Sequence, residues 1–267
     1  MADGARLEVE GIALAFGGLS VLRGISFDAA PGELLAVIGP NGAGKTSALN
    51  CVSGVYRPSA GRIRFDGRDI TSLRPHHRAA AGIARTFQHG ELFRQLNVVE
   101  NLLVARHAQT RGSVLADGLF LGAARRREIA EREAVEAVIE FVELERYRGR
   151  LVGSLPFGMQ KIVGFARALA ARPRLLLLDE PTAGLTREEK EDVARFILRI
   201  KHELGVTMVW VEHDMQMVAD LADRIVVLDF GEKLADGASA QVLADPRVIA
   251  AYLGTGHSTR AVGSQSP

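Results

Sequence analysis

Eight consecutive residues carry the densest chemical pattern in the chain: Gly39-Pro40-Asn41-Gly42-Ala43-Gly44-Lys45-Thr46. They match G-x-x-x-x-G-K-[ST]. Glycines at the fixed positions let successive backbone N–H groups turn toward one centre, which suits phosphate oxygens. Lys45 brings a positive charge for β- and γ-phosphates, and the Thr46 hydroxyl is a hard oxygen ligand for magnesium. The plain alternative is a glycine-rich turn with a chance lysine. The surroundings weigh against it. An apolar, strand-length run (34–38) leads into the loop, and a proline-free stretch (45–53) can continue as a helix whose positive end faces the same anion.

Three further residues could act on a phosphate held there. Asp179 and Glu180 directly follow four leucines, 175–178. An acid at a strand end is ordinarily a solvated turn residue. Two adjacent acids in a chain that already has a phosphate loop fit a division of labour: Asp179 in the magnesium shell, Glu180 polarising the attacking water. His213 lies two residues past another apolar run, 206–211, at the edge where open parallel sheets bind ligands. From there it could donate a hydrogen bond to a γ-phosphate.

These residues need strands that end at one edge and helices that follow them. Runs 34–38 and 175–178 are almost wholly apolar, as in strands buried on both faces. Residues 7–16 alternate as a strand, with 25–29, 62–65, 83–87, 206–211 and 225–228 as shorter candidates. Helices are predicted over 45–53, 98–107, 127–142, 187–202 and 215–222. The fold class that follows is α/β, with a parallel core. About 90–170 reads as a mostly helical insertion within a single domain spanning 1–253, and 254–267, rich in Gly, Ser and Thr, as a tail with little to bury.

Composition narrows the classes. The chain has 267 residues, 47% hydrophobic and 24% charged, with net charge +1, so no overall bias toward nucleic acid or anionic membrane is present. Cys51 is the only cysteine, which rules out an internal disulfide and a cysteine-based zinc site. Residues 1–10 carry three acids and no apolar stretch, unlike a signal peptide. No run approaches the roughly 20 apolar residues that span a bilayer. Work at a membrane would be peripheral.

In this order the elements resemble the nucleotide-binding subunit of an ABC transporter, over about 7–253. The resemblance implies a RecA-like P-loop NTPase core with an N-terminal antiparallel β region and a helical subdomain insertion. It implies ATP and Mg2+ as ligands, with nucleotide contacts from residues 39–46 and Ser47. Gln88, in Arg85-Thr86-Phe87-Gln88, matches the family glutamine that touches magnesium and links the site to membrane subunits. Phe16 matches the aromatic that stacks on adenine, a contact worth about 1–3 kcal/mol; an ordinary buried strand phenylalanine is its competitor. Leu155-Pro156-Phe157-Gly158-Met159-Gln160 lies where the family carries Leu-Ser-Gly-Gly-Gln, the segment that completes the opposite subunit's ATP site. Leu155, Gly158 and Gln160 keep the pattern. Pro156 and Met159 depart from it, and Pro156 loses a hydroxyl whose bond to a charged group is worth about 1.5–3 kcal/mol. Ala183-Gly184-Leu185-Thr186 departs from a family loop that ends in Asp, which puts communication across the dimer at Thr186 in doubt.

A narrower resemblance rests on residues 82–88, the long 105–127 insertion, Val211-Glu212-His213-Asp214-Met215, and Asp245-Pro246 with Ala251-Tyr252-Leu253-Gly254. These look like the ATPase subunits of high-affinity branched-chain amino-acid importers, with urea, short-chain amide and lipopolysaccharide-export ATPases similar enough to confuse. The implied partners are a second ABC ATPase subunit, the same or homologous, two transmembrane permease subunits and, indirectly, a solute-binding protein. No nucleic acid is implied. The implied place is the cytoplasmic face of a prokaryotic membrane. Residues 89–98, with Leu92, Phe93 and Leu96, are a candidate groove for a permease helix. A soluble ABC-type ATPase of nucleic-acid metabolism is the alternative, but such proteins usually have two fused nucleotide domains or a long coiled coil, and neither appears here. A GTPase reading lacks the guanine-reading Asn-Lys-x-Asp.

Overall fold

The computed structural model describes residues 4–86, 92–107 and 123–254. In chain order the elements are β1 (Leu7–Phe16), β2 (Leu19–Ala29), β3 (Leu34–Ile38), α1 (Lys45–Ser53), β4 (Ala60–Phe65), β5 (Arg68–Asp69), α2 (Pro75–Ala80), β6 (Ile83–Thr86) and α3 (Val98–His107). They continue as α4 (Ala123–Phe141), α5 (Phe157–Ala170), β7 (Leu175–Asp179), α6 (Arg187–Arg199) with a π-turn (Ile200–Leu204), β8 (Thr207–Val211), α7 (Met215–Leu221), β9 (Arg224–Asp229), β10 (Glu232–Ala238), α8 (Ser239–Leu243) and α9 (Pro246–Gly254). Among the described residues no helix is long and apolar enough to cross a membrane. The chain divides into two compact units, one built from 5–72 and 207 onward, the other from 73–206.

In the first unit, four strands form an antiparallel sheet in the order β2-β1-β4-β5. Leu7, Val9, Ile12 and Leu14 of β1 are buried. The strand expected at 25–29 reaches back to Leu19, because Gly17 and Gly18, both at positive φ, close a tight hairpin with β1. The second sheet of this unit places β3 between two parallel neighbours, β8 and β9. All five residues of β3 and of β8 are buried, which is why both read as apolar runs rather than alternating ones. Beyond β9 lies β10, antiparallel and at the sheet edge. Its sequence, Glu-Lys-Leu-Ala-Asp-Gly-Ala, carries no strand signal. An edge strand tolerates that, because a single neighbour and a solvated face make few demands on side chains.

In the second unit, β6 and β7 pair in parallel, Ile83 opposite Leu175 and Thr86 opposite Leu178. β7 is buried along its whole length and takes in Asp179 as its last residue, one beyond the apolar run. Helix α3 packs on α4 and α5. Arg106 of α3 ties the three together: it pairs with Glu131 of α4 and donates to the Ala170 carbonyl of α5 at 2.9 Å. Helix α4 begins at Ala123, four residues before the periodic pattern does. Helix α6 stops at Arg199 and relaxes into the π-turn, which Gly205 ends in a left-handed conformation.

Candidate nucleotide site

Residues 39–46 lie between the buried strand β3 and helix α1. Three of the four closing constraints on this loop are glycine constraints. Gly39 has φ +148°, and a Cβ there would stand 2.0 Å from the Leu228 carbonyl oxygen of β9. Gly44, at φ +98°, is the left-handed N-cap of α1, and a Cβ would meet Leu22 Cδ2 at 2.7 Å. Gly42, at φ +83°, has room for a Cβ but not the backbone angle for one. Lys45 supplies the fourth. It is buried, and its ammonium donates to the carbonyls of Gly39 at 2.7 Å and Pro40 at 3.0 Å. The charge is thus held against the mouth of the loop. Thr46 and Ser47 are half-buried in the first turn of α1, and Asn41 is exposed.

Parallel register sets what else stands at this edge. Val37 lies opposite Val211 of β8, and Ile38 opposite Val227 of β9, so the segments after β3 and β8 leave the sheet on the same side. His213 is exposed there. The next residue, Asp214, caps α7 by accepting from the Met217 N–H at 3.3 Å, which fixes the chain direction on either side of the histidine. Phe16 ends β1 and is 48% exposed, so the competing picture of a buried strand phenylalanine does not describe it. Its ring meets Tyr56 edge to face at 5.1 Å, leaving a supported aromatic face.

The second unit holds the acidic pair. Asp179 is 2% exposed, and its Oδ2 accepts from Arg85 Nη2 at 2.6 Å. Arg85 lies on β6, next to β7, and no pattern in the chain pointed to it as Asp179's partner. A charge-assisted bond of this length fixes the carboxylate's orientation. Glu180 follows with φ +47°, a left-handed angle that costs a non-glycine residue of order 1–3 kcal/mol. The turn that imposes it is closed by the Ala183 N–H donating to the Glu180 carbonyl at 3.2 Å. Its side chain is half-buried at the end of β7.

Residues 155–160 form the start of α5. Pro156 stands at the N-cap with φ −54°, and its carbonyl accepts the Gln160 N–H at 3.0 Å. Gln160 Nε2 donates back to the Leu155 carbonyl at 2.8 Å, so this glutamine braces its own helix start. Phe157 is exposed, with Lys161 Nζ 5.5 Å from its ring centre. Gly158 is buried, and a Cβ there would lie 2.0 Å from Glu189 Oε1. That glutamate is half of a capping box on Thr186: Thr186 N–H donates to Glu189 Oε2 at 2.8 Å, and Glu189 N–H to Thr186 Oγ1 at 3.3 Å. Thr186 therefore fills the helix-capping place that Asp would fill, and the same carboxylate touches the start of α5.

Gln88, and with it 87–91 and most of the 105–127 insertion, lies outside the described residues. Beyond that gap, Phe93 is 48% exposed, and Leu92 and Leu96 are half-buried. Asn101, fully buried on α3, fastens this segment: its side chain accepts from the Phe93 N–H at 2.9 Å and donates to the Phe93 carbonyl at 3.0 Å. Arg167 of α5 lies 5.7 Å from the Phe93 ring centre.

The ABC transporter family model matches residues 22–183, and the branched-chain amino acid ATP-binding cassette transporter model matches 232–258. The high-affinity branched-chain amino acid transport ATP-binding protein BraF of Pseudomonas aeruginosa is 43% identical over 251 residues, 93% of this chain and 97% of that protein. LivG of Escherichia coli K12, which carries the same description, is 36% identical over 248 residues, 93% of this chain and 97% of that protein. Among solved structures, a nucleotide-free ATP-binding cassette from an ABC transporter superposes with a TM-score of 0.81 at 30% identity, covering 93% of this chain and 98% of that one. A structure of an ABC transporter ATP-binding cassette in its ADP conformation gives 0.82 at 31% identity, covering 94% of this chain and 99% of that one. The chain is a member of the ABC transporter family of ATP-binding, ATP-hydrolysing subunits, and carries the C-terminal segment of its branched-chain amino acid branch.

Proposed function

We propose that this chain energises the import of branched-chain amino acids, or similar small polar solutes, as a peripheral subunit on two transmembrane permease subunits and beside a second ATPase subunit. The observation that carries the substrate class is the 43% identity to a branched-chain amino acid transport ATPase across nearly the full length of both chains. The C-terminal match over 232–258 points the same way.

The residues divide the work as follows. The backbone N–H groups of 39–46 and the Lys45 ammonium bind the nucleotide phosphates, and Phe16 offers its exposed face to the adenine. Glu180 orients water for in-line attack on the γ-phosphorus and accepts its proton as the bond to the β–γ bridging oxygen breaks. His213 donates a hydrogen bond to the γ-phosphate. Positioning and electrostatics dominate such a reaction. Among the described residues no cluster of three or more His, Cys, Asp or Glu could hold a metal alone. The donors on offer are a hydroxyl at Thr46, a carboxylate at Asp179 and an amide oxygen at Gln88, all hard oxygen ligands of the kind that share Mg2+ with phosphates rather than enclose it. When bound, Mg2+ would neutralise charge developing on those phosphates. Residues 155–160 are offered to the partner's nucleotide, with the Gly158 N–H and the positive end of α5 as donors in place of the lost serine hydroxyl.

Co-expression with candidate permease subunits and reconstitution into vesicles tests the reading. ATP turnover should rise when a leucine-, isoleucine- or valine-loaded binding protein is present. Stimulation by an unrelated solute alone would remove the substrate assignment. Co-purification with RNA or DNA and with no membrane protein would remove the transport role.

A further inference from the structure

Strands β6 and β7 run parallel, with Arg85 opposite Leu177. Asp179 lies two residues beyond Leu177, so it shares a sheet face with Leu177 and, through the register, with Arg85. A diagonal reach along that face puts Arg85 Nη2 2.6 Å from Asp179 Oδ2. Both side chains are buried, at 9% and 2% exposure.

An ion pair this deep is a poor way to fill space. Loss of hydration offsets most of the attraction between two buried charges, and apolar side chains of similar volume pack as well or better. The rest of β7, residues 175–178, is four buried leucines. The pair therefore asks for a reason beyond packing, and the carboxylate points to one. Asp179 is the acid assigned to the magnesium shell. Mg2+ is held in such sites by one or two carboxylates together with substrate phosphates. Among the described residues no group of three or more His, Cys, Asp or Glu could hold it alone. A buried carboxylate with unbalanced charge attracts a divalent cation whether or not phosphates are there. One balanced by a fixed guanidinium attracts it less and leaves more of the binding to the phosphates.

We propose that Arg85 is a positioning residue that keeps Asp179 from taking a divalent cation before nucleotide arrives. Its guanidinium holds Oδ2 and balances the carboxylate's charge. The cation then gains sufficient attraction only when the phosphates add theirs. In this role Arg85 acts through Asp179 rather than on the nucleotide. The inference rests on the reading of Asp179 as part of the magnesium shell.

The test uses the full chain with Mn2+ as the probe, its binding followed by electron paramagnetic resonance with and without a non-hydrolysable ATP analogue. Without nucleotide, Arg85→Met should bind Mn2+ at least about tenfold more tightly than wild type. Arg85→Lys, which keeps the charge, should stay close to wild type. A merely structural role gives the opposite sign: both variants would loosen the carboxylate and bind Mn2+ more weakly. Thermal melting checks that each variant is folded. If Arg85→Met does not fold, Arg85→Gln keeps a donor for Oδ2 without the charge and carries the same prediction. Nucleotide-free Mn2+ affinity that is unchanged or weakened in the neutral variant would overturn the proposal. Asp179→Asn measured with the analogue separates the two levels. Mn2+ held as tightly as by wild type would mean that Asp179 is no part of the magnesium shell, and both readings fall. Weaker binding by Asp179→Asn, with no gain in the neutral Arg85 variant, removes only the role of Arg85.

Discussion

Glu180 carries backbone strain directly after β7. A left-handed glutamate at a buried strand end is strained, and such strain persists only where neighbours over-determine it. Asp179 before it is bonded to Arg85, and the turn after it is closed by the Ala183 N–H. We expect Glu180→Gln to keep ATP binding and to slow hydrolysis by about 10²–10⁴, the usual contribution of a general base. Single-turnover hydrolysis beside an equilibrium binding titration measures both, and unchanged turnover would take the proton-accepting role away from this residue. The acids themselves were legible, since Asp and Glu after four leucines form a local pattern. Arg85 was not, because it pairs with Asp179 across 94 residues of chain.

At the scale of elements, the two helix starts of the second unit share one carboxylate. Glu189 closes the capping box on Thr186 and lies against Gly158, so α6 and α5 begin at a common point. Replacing Thr186 by alanine should cost about 1 kcal/mol of stability, as for other lost N-caps, measured by denaturant unfolding. Glu189→Gln should cost less, because glutamine also completes a capping box. Equal losses would mean that the carboxylate's charge matters more than the box. Thr186 shows why a departure from a family pattern needs a structure to interpret it. Threonine and aspartate differ in charge but serve the same capping geometry. The edge strand β10 is the converse case: a polar sequence became a strand because β9 offered it an unpaired edge.

Across the whole molecule, net charge is +1 at neutral pH, so electrostatic contributions to stability there come from particular pairs rather than from overall repulsion, and acid acts on those pairs as their carboxylates protonate. The chief candidate joins the antiparallel sheet to the second sheet of the first unit. Arg224 of β9 holds Asp236 of β10 with two bonds, at 2.7 and 3.0 Å, and Asp28 of β2 at 3.2 Å, while Lys233 reaches Asp236 at 2.9 Å. Burial alone would raise the Asp236 carboxyl, but the bonds from Arg224 and Lys233 outweigh it and hold it below the ordinary aspartate value. The folded state therefore binds this proton more weakly than the unfolded chain does. The stability it contributes is complete above an ordinary aspartate value of about 4 and is lost as the pH falls through the depressed one. Asp236→Asn should melt lower than wild type at neutral pH and lose less on acidification below about pH 4. Parallel melting curves across that range would exclude Asp236 as a source of acid sensitivity.

The glycine-rich pattern of 39–46, the buried strands around it, the adjacent Asp179 and Glu180 and most helices were readable from sequence, because each is written in a pattern only a few residues long. Turn angles, strand burial and helical period are properties of neighbours along the chain, so they can be read there. Tertiary structure alone decided which side chains restrain that chemistry. Arg85 holds Asp179, the backbone carbonyl of Leu228 stands where a Cβ on Gly39 would go, and the Glu189 carboxylate stands where a Cβ on Gly158 would go. These partners come from distant segments, brought close by sheet register and helix packing, and no local periodicity encodes them.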